Sequence, residues 1–178
     1  PNWGHKLMSN ALRKDIGCVG AKLLYSDNTI QHAGIVLGIG GVAGHINKYM
    51  KNDMHIPHDI NFQREYSALT GACLAISRTN WKLLRGLDER NLKVNYSDVD
   101  LCLRCKEIGL RNIYLPNVIA YHFESKSRGK PKGLSFLEWK LESRYMKKRW
   151  SKLIKFDPFF NPNLSLISEK LTFSAIVN

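Results

Sequence analysis

The sequence predicts an α/β fold, a mixed sheet flanked by helices. Two observations carry that expectation. Short apolar runs of strand character alternate with segments whose apolar residues recur at helical spacing. The composition is that of an ordinary globular chain: 178 residues, 44% hydrophobic, 24% charged, with 13 Gly and 6 Pro. This excludes collagen-like, low-complexity and wholly disordered chains, and the length suits one domain with a real core. No apolar run approaches the roughly 20 residues that cross a bilayer, and no signal-peptide pattern opens the chain.

Trp3, Leu7, Ala11 and Leu12 fall at helical spacing and predict a helix over 3–14. Ile16 to Leu24 is a mostly apolar run and reads as a strand. Ser26-Asp27-Asn28 makes a turn, and Thr29 to Leu37 a returning strand. From His45 to Glu65 the chain is polar and aperiodic, with His45, His55 and His58, which predicts a long loop or lid. Leu69 to Ser77 has a buried-strand pattern. Thr79 can cap a short helix that Gly86 stops. Ser97 is a plausible cap for the next helix, which ends at Gly109, with Asp100 completing a capping box. Residues 112–115 and 118–122 read as strands broken by Pro116. Leu134, Leu137, Leu141 and Tyr145 mark an amphipathic helix ending near Trp150, its leucine stripe expected to pack on the domain with Lys147, Lys148 and Arg149 outward. No internal repeat is present.

The net charge is +12, and +9 of it comes from residues 126–155. A basic block of this kind suits a polyanionic partner, whether nucleic acid, anionic lipid or a diphosphate, or simply a solvated helix face. Cys18, Cys73, Cys102 and Cys105 lie in apolar stretches and not in a disulfide framework, which fits reduced thiols in the cytosol. Cys102-x-x-Cys105 has the spacing of a zinc half-site but lies in a helical stretch with no second pair, so packing is expected.

Two motifs invite over-reading. Gly38-x-Gly40-x-x-Ala43 fits a relaxed dinucleotide fingerprint, yet no helix follows to face a pyrophosphate, and a tight loop is expected. Asp98-Val99-Asp100 has the D-x-D form of a metal-holding pair. It opens a helix where such pairs normally end a strand, so another role is expected.

Taken in order, Thr70-Gly71-Ala72-Cys73, Gly86-Leu87-Asp88-Glu89, Ser97-Asp98-Val99-Asp100-Leu101-Cys102-Leu103-Arg104 and His122-Phe123-Glu124-Ser125 resemble one family. It is the family-2 glycosyltransferases of GT-A fold, in particular the C-terminal, acceptor-side half of bacterial rhamnosyltransferase and O-antigen types. The segment from Asp15 to Leu23 and the tail from Asp157 to Ser165 also look typical, so the resemblance covers nearly the whole chain. It implies inverting transfer of a sugar from a nucleotide-diphosphate donor to an acceptor hydroxyl, in surface polysaccharide synthesis. That chemistry needs a base for the hydroxyl proton, a cation for the departing diphosphate, and a rigid floor for the donor sugar.

By resemblance, Asp98 is the base, with Ser97 replacing the family's usual first acid. An acid in the first turn of a helix is also favoured by the dipole. His122 matches a metal ligand, and Thr70, Gly71 and Ala72 match the floor. Asp100 is carried as substrate-binding beside its capping role. Lys126 and Arg128 could close over the diphosphate. The implied cofactor is a divalent cation, Mn²⁺ or Mg²⁺, in a full-length enzyme.

The family's nucleotide-binding half and metal-binding acid pair would precede Pro1. The chain is therefore expected to be a catalytic fragment, inactive and binding no metal or nucleotide sugar by itself. Residues 1–125 would be the partial GT-A domain and 126–178 a basic loop, helix and tail. The expected partners are a nucleotide-sugar donor and a glycan or lipid-linked acceptor, with an anionic membrane surface at the cytoplasmic inner face. No nucleic acid is expected, and the open face could be covered by a second copy of the chain in a homodimer. The alternative is a basic module that binds anionic membrane or nucleic acid without catalysis. For it, exposed rings at Phe136, Trp139, Tyr145 and Trp150 would favour base stacking, and burial would leave only phosphate-type binding.

Overall fold

The computed structural model describes residues 2–53, 59–123, 133–169, 172 and 174. The fold is the expected mixed α/β arrangement. Its centre is β1 (Ile16–Leu24), buried along its whole length as its apolar run requires. Along one side β7 (Arg111–Tyr121) runs parallel, with Ile16 opposite Arg111 and Leu24 opposite Tyr121. The other side is shared by two short antiparallel strands. β6 (Leu74–Ile76) pairs with Cys18 to Gly20, and β2 (Ile30–His32) with Leu23 and Leu24. β5 (Arg64–Glu65) adds to the far edge of β7.

Both faces of the sheet are covered. On one, α1 (Trp3–Ala11) inserts Leu7 and Ala11 among Ile16, Val19, Ala21, Leu23, Ile113 and Leu115. Trp3 and Leu12, also expected on that stripe, are exposed. On the other face lie α3 (Ser97–Glu107), the hairpin of β3 (Ile35–Leu37) and β4 (Ala43–His45), and the ends of α4 (Leu134–Arg149) and α5 (Ser151–Lys155). Met146, Trp150 and Ile154 share this core with Cys18, Leu69 and Leu101, so residues beyond 132 pack on the same centre as those before. Gly17 permits a close approach: a β-carbon there would lie 2.6 Å from Cys105 Cβ, so α3 rests directly on β1. Cys18, Cys102 and Cys105 are buried and unbridged, with 3.8 Å between the Cys18 and Cys105 sulfurs, which is packing and not a zinc site.

Several expectations change in detail. The strand predicted over 29–37 is two strands, because the chain turns at Gly34 (φ 117°) and leaves the large sheet for the β3–β4 hairpin. A β-carbon on Gly34 would press into the Tyr66 ring at 2.5 Å. The glycine-rich fingerprint is the turn of that hairpin. The two strands around Pro116 are one, β7, which bulges between Leu115 (opposite Ala21) and Ile119 (opposite Lys22). A residue without an N–H is tolerated at such a bulge. Residues 69–77 form a 3₁₀ turn (Gly71–Cys73) and then the short β6. α2 (Arg78–Leu83) is capped by Ser77, whose hydroxyl accepts from the Asn80 N–H, and not by Thr79. The loop over 45–65 is in part packed down: Ile60 is buried, Tyr114 Oη donates to its carbonyl, and β5 joins the sheet. His55 and His58 lie outside the described residues.

The leucine stripe of α4 does not pack on the domain. Leu134, Leu137 and Leu141 are 80%, 55% and 67% exposed. The inner face is instead Trp139, Glu142, Ser143 and Met146, running on to Trp150. Its polar members find partners: Trp139 Nε1 donates to Tyr96 Oη, and Glu142 accepts from the Val94 and Asn95 amides. Hydrophobic spacing alone selects the wrong face because this helix docks through hydrogen bonds as much as through apolar area.

Asp100 also departs from expectation. The cap of α3 is Tyr96 in a left-handed conformation, without a side-chain cap bond, so the capping box is not formed. Asp100 is fully buried and points away from any substrate surface. It accepts from Arg104 Nε (2.7 Å) and Trp150 Nε1 (2.9 Å), with Arg149 Nη1 at 3.5 Å. Arg104 in turn donates to the carbonyls of Leu84 and Gly86. Asp100 is thus a structural acid that joins α3, the turn after α2 and the α4–α5 junction. Removing one member of a buried ion pair strands the other, so Asp100→Ala is expected to cost about 3–5 kcal/mol in urea unfolding. An unchanged midpoint would deny Asp100 this role.

Candidate functional site

The turn ahead of β6 and the first turn of α3 are held against each other. Thr70 Oγ1 accepts from the Ala72 N–H, and the Gly71 N–H donates to Asp98 Oδ2 at 2.7 Å. A β-carbon on Gly71 would lie 3.3 Å from Asp98 Cβ, tighter than ordinary contact, so only glycine sits here without displacement. Oδ1 of Asp98 accepts from the Val99 N–H. The segment leading into α3 is fixed from the other side, because both oxygens of Glu142 hold the amides of Val94 and Asn95 and Tyr96 is bonded to Trp139. Asp98 therefore stands half-buried on a clamped turn. Asp98 and Asp100 face different surroundings and do not form a two-carboxylate ion site.

Three adjoining cavities run away from this acid. The first, about 460 Å³, is lined by Gly71, Ala72, Trp81, Leu87, Tyr96 and Asp98. The second, about 220 Å³, has Asp98, Tyr96, Asn95 and His45 in its wall. The third, also about 220 Å³, is lined by Gln31, His32, His45, Lys48, Thr70 and His122. Asp98 borders the first two, Ala72 the first and third, and His45 the second and third. The structure thus brings Thr70, Gly71, Ala72, Asp98 and His122 to one row of cavities. His122 follows the end of β7, and Tyr25, also in the third cavity, follows the end of β1. Carboxyl ends of parallel strands are where open α/β sheets take ligands. Lys126 and Arg128 lie outside the described residues.

His122 is oriented by its neighbours. Its backbone N–H donates to the Leu24 carbonyl, and its Nδ1 lies 2.9 Å from Gln31 Oε1, while Gln31 Nε2 donates to the His122 carbonyl. Nδ1 therefore donates to Gln31 Oε1, and the ring is held with Nε2 as its other edge. Among the described residues no three His, Cys, Asp or Glu side chains converge to hold a metal ion. His122 alone does not make a divalent site, since such ions keep several oxygen or nitrogen ligands.

Sequence reasoning passed over the pair His32 and His45. Their Nδ1 atoms are 3.0 Å apart, so one must donate and the other accept. Burial holds His32 well below the usual imidazole range, with His45 adding to the effect. Burial, and then Lys48, push His45 down to about 4. Nothing in the one-dimensional pattern pairs a strand histidine with one beyond a glycine turn.

The aromatic residues of the basic segment are mostly committed inward. Trp150 is buried on Asp100, Trp139 is bonded to Tyr96, and Tyr145 Oη donates to Asp88. Only Phe136, stacked on Trp139, is appreciably open. That leaves little for base stacking.

No family model matches the chain. It is 41% identical over 169 residues to an uncharacterized protein of Sinorhizobium fredii, a match covering 93% of this chain and 18% of that protein. It is 35% identical over 168 residues to the O-antigen biosynthesis protein RfbC of Myxococcus xanthus, covering 93% of this chain and 13% of RfbC. The chain thus spans less than a fifth of the length of these curated relatives.

The neutral histidine pair has a consequence for stability. An unfolded chain protonates His45 near its ordinary pKa of about 6.5, whereas the folded chain resists until about 4. The stabilisation is complete above about 6.5 and is lost as pH falls toward 4. For this partly solvent-exposed ring the loss is about 2 kcal/mol, after allowing for screening. Urea unfolding across that range should show a smaller acid loss in His45→Gln than in the wild type. Parallel pH profiles would exclude the pair as the cause.

Proposed function

We propose that this chain carries the acceptor side of a sugar-transfer site, acting in polysaccharide synthesis. The observation that supports it most is the Gly71–Asp98 contact at the head of a row of cavities reaching His122. Similarity to an O-antigen biosynthesis protein favours the same reading.

In this reading an acceptor hydroxyl enters the larger cavity, beside Trp81 and Tyr96, and meets Asp98. Asp98 takes its proton as the oxygen attacks the anomeric carbon of a nucleotide-diphosphate sugar. The new carbon–oxygen bond forms on one face while the bond to the diphosphate breaks on the other. The electron pair leaves with the diphosphate, and the anomeric centre inverts. Two backbone amides hold the Asp98 carboxylate in place, so it needs little reorganisation before accepting a proton. Gly71 and Ala72 let the donor sugar lie against the backbone. Lys48 and His122 line the third cavity, where the diphosphate would be received. The described residues do not by themselves assemble a divalent-cation site.

The test is Asp98→Asn in the protein that carries this chain, assayed with nucleotide sugars. Turnover should fall by about 10³-fold, the scale of a lost general base, with donor affinity nearly unchanged. Turnover close to wild type would leave Asp98 as an acid that merely positions the 70–72 turn.

A further inference from the structure

The outward face of α4 is unlike a solvated helix surface. Leu134, Leu137 and Leu141 follow one another at helical spacing and are all more than half exposed. The same face carries exposed Arg144 and Lys148, with exposed Lys140 on its flank. Its acids are offset: Glu142 is turned inward onto the Val94 and Asn95 amides, and Glu138, at the border of the stripe, lines a cavity with Leu141, Arg90 and Lys93. The helix is 16 residues long, or about 24 Å, and is anchored from beneath by Trp139, Met146 and Trp150.

We propose that α4 is an interfacial helix that seats this face on an anionic lipid surface. Leucines flanked by bases are the pattern that lies in the headgroup layer, apolar side chains toward the acyl boundary and cations among the phosphates. Long basic side chains can cover apolar surface and still reach headgroups. Charge complementarity selects this occupant. A second copy of the chain would bring Lys140, Arg144 and Lys148 against their own counterparts, which is repulsive. Nucleic acid would satisfy the bases and leave three leucines in water, with the neighbouring aromatic rings committed elsewhere. Among the described residues no helix is long and apolar enough to cross a membrane, so the contact is a lateral one. The proposal does not depend on sugar transfer.

Sedimentation with vesicles tests it. The chain should pellet with phosphatidylcholine vesicles containing phosphatidylglycerol and not with phosphatidylcholine alone, and high salt should release it. Leu137→Ser and Leu141→Ser should each weaken binding by about tenfold, and Lys140→Gln and Lys148→Gln by about fivefold each. All four positions are exposed, so circular dichroism and unfolding midpoints should stay as in the wild type. Three results would overturn the proposal: equal binding to both vesicle types, no binding to either, or a dimer in analytical ultracentrifugation that Leu137→Ser dissolves. Tight nucleic-acid binding in the absence of vesicle binding would overturn it as well.

Discussion

Much of this structure hangs on one buried carboxylate. Asp100 has no access to water, and a charge so placed is tolerable only when donors surround it. Arg104, Trp150 and Arg149 supply them, and each comes with its own commitments. Arg104 reaches the carbonyls that end α2, Trp150 marks the junction of α4 and α5, and Arg149 also bonds to Tyr145. Two pieces of chain distant in sequence are thereby tied to one turn of α3. Hydrophobic burial makes them cohere, but the geometry of the ion pair fixes their register.

The candidate site inherits its precision from that arrangement. Asp98 is two residues from the anchored acid, on the same helical turn but facing elsewhere. Its backbone cannot shift without disturbing Asp100, and its side chain is caught by the Gly71 amide. Glu142 and Trp139 hold the approach to the turn from behind. The first cavity is thus walled by elements whose positions are over-determined. The third is lined by the bonded pair His32 and His45, next to Lys48.

The large strands could be read from sequence because their signal is local. β1 is apolar throughout but for Lys22, and a parallel strand covered on both faces needs little else. The Asp98 helix and its Gly109 stop were legible for the same reason. Asp98, Gly71 and His122 could be singled out only through family likeness, since their proximity is created by pairing across the sheet. What escaped was non-local. Asp100 resembled a capping acid because a D-x-D string does not reveal which carboxylate faces in. The leucines of α4 promised a core that Trp139, Glu142 and Trp150 supplied instead. Gly34 split a strand because of the Tyr66 ring, which lies well outside any local window.

The pairing of β1 with β7 also bears on how the chain reaches this state. Ile16 lies opposite Arg111 and Leu24 opposite Tyr121, so the central parallel ladder joins an early segment to one made much later. Contacts of such separation must meet the entropy of closing the intervening chain before they return any stability. As the polypeptide emerges from a ribosome, β1 can find only β2 and then β6, each a brief antiparallel partner. Its long edge stays open until β7 arrives. During that interval a strand apolar but for Lys22 is unpaired along one side, an edge open to pairing with the wrong chain.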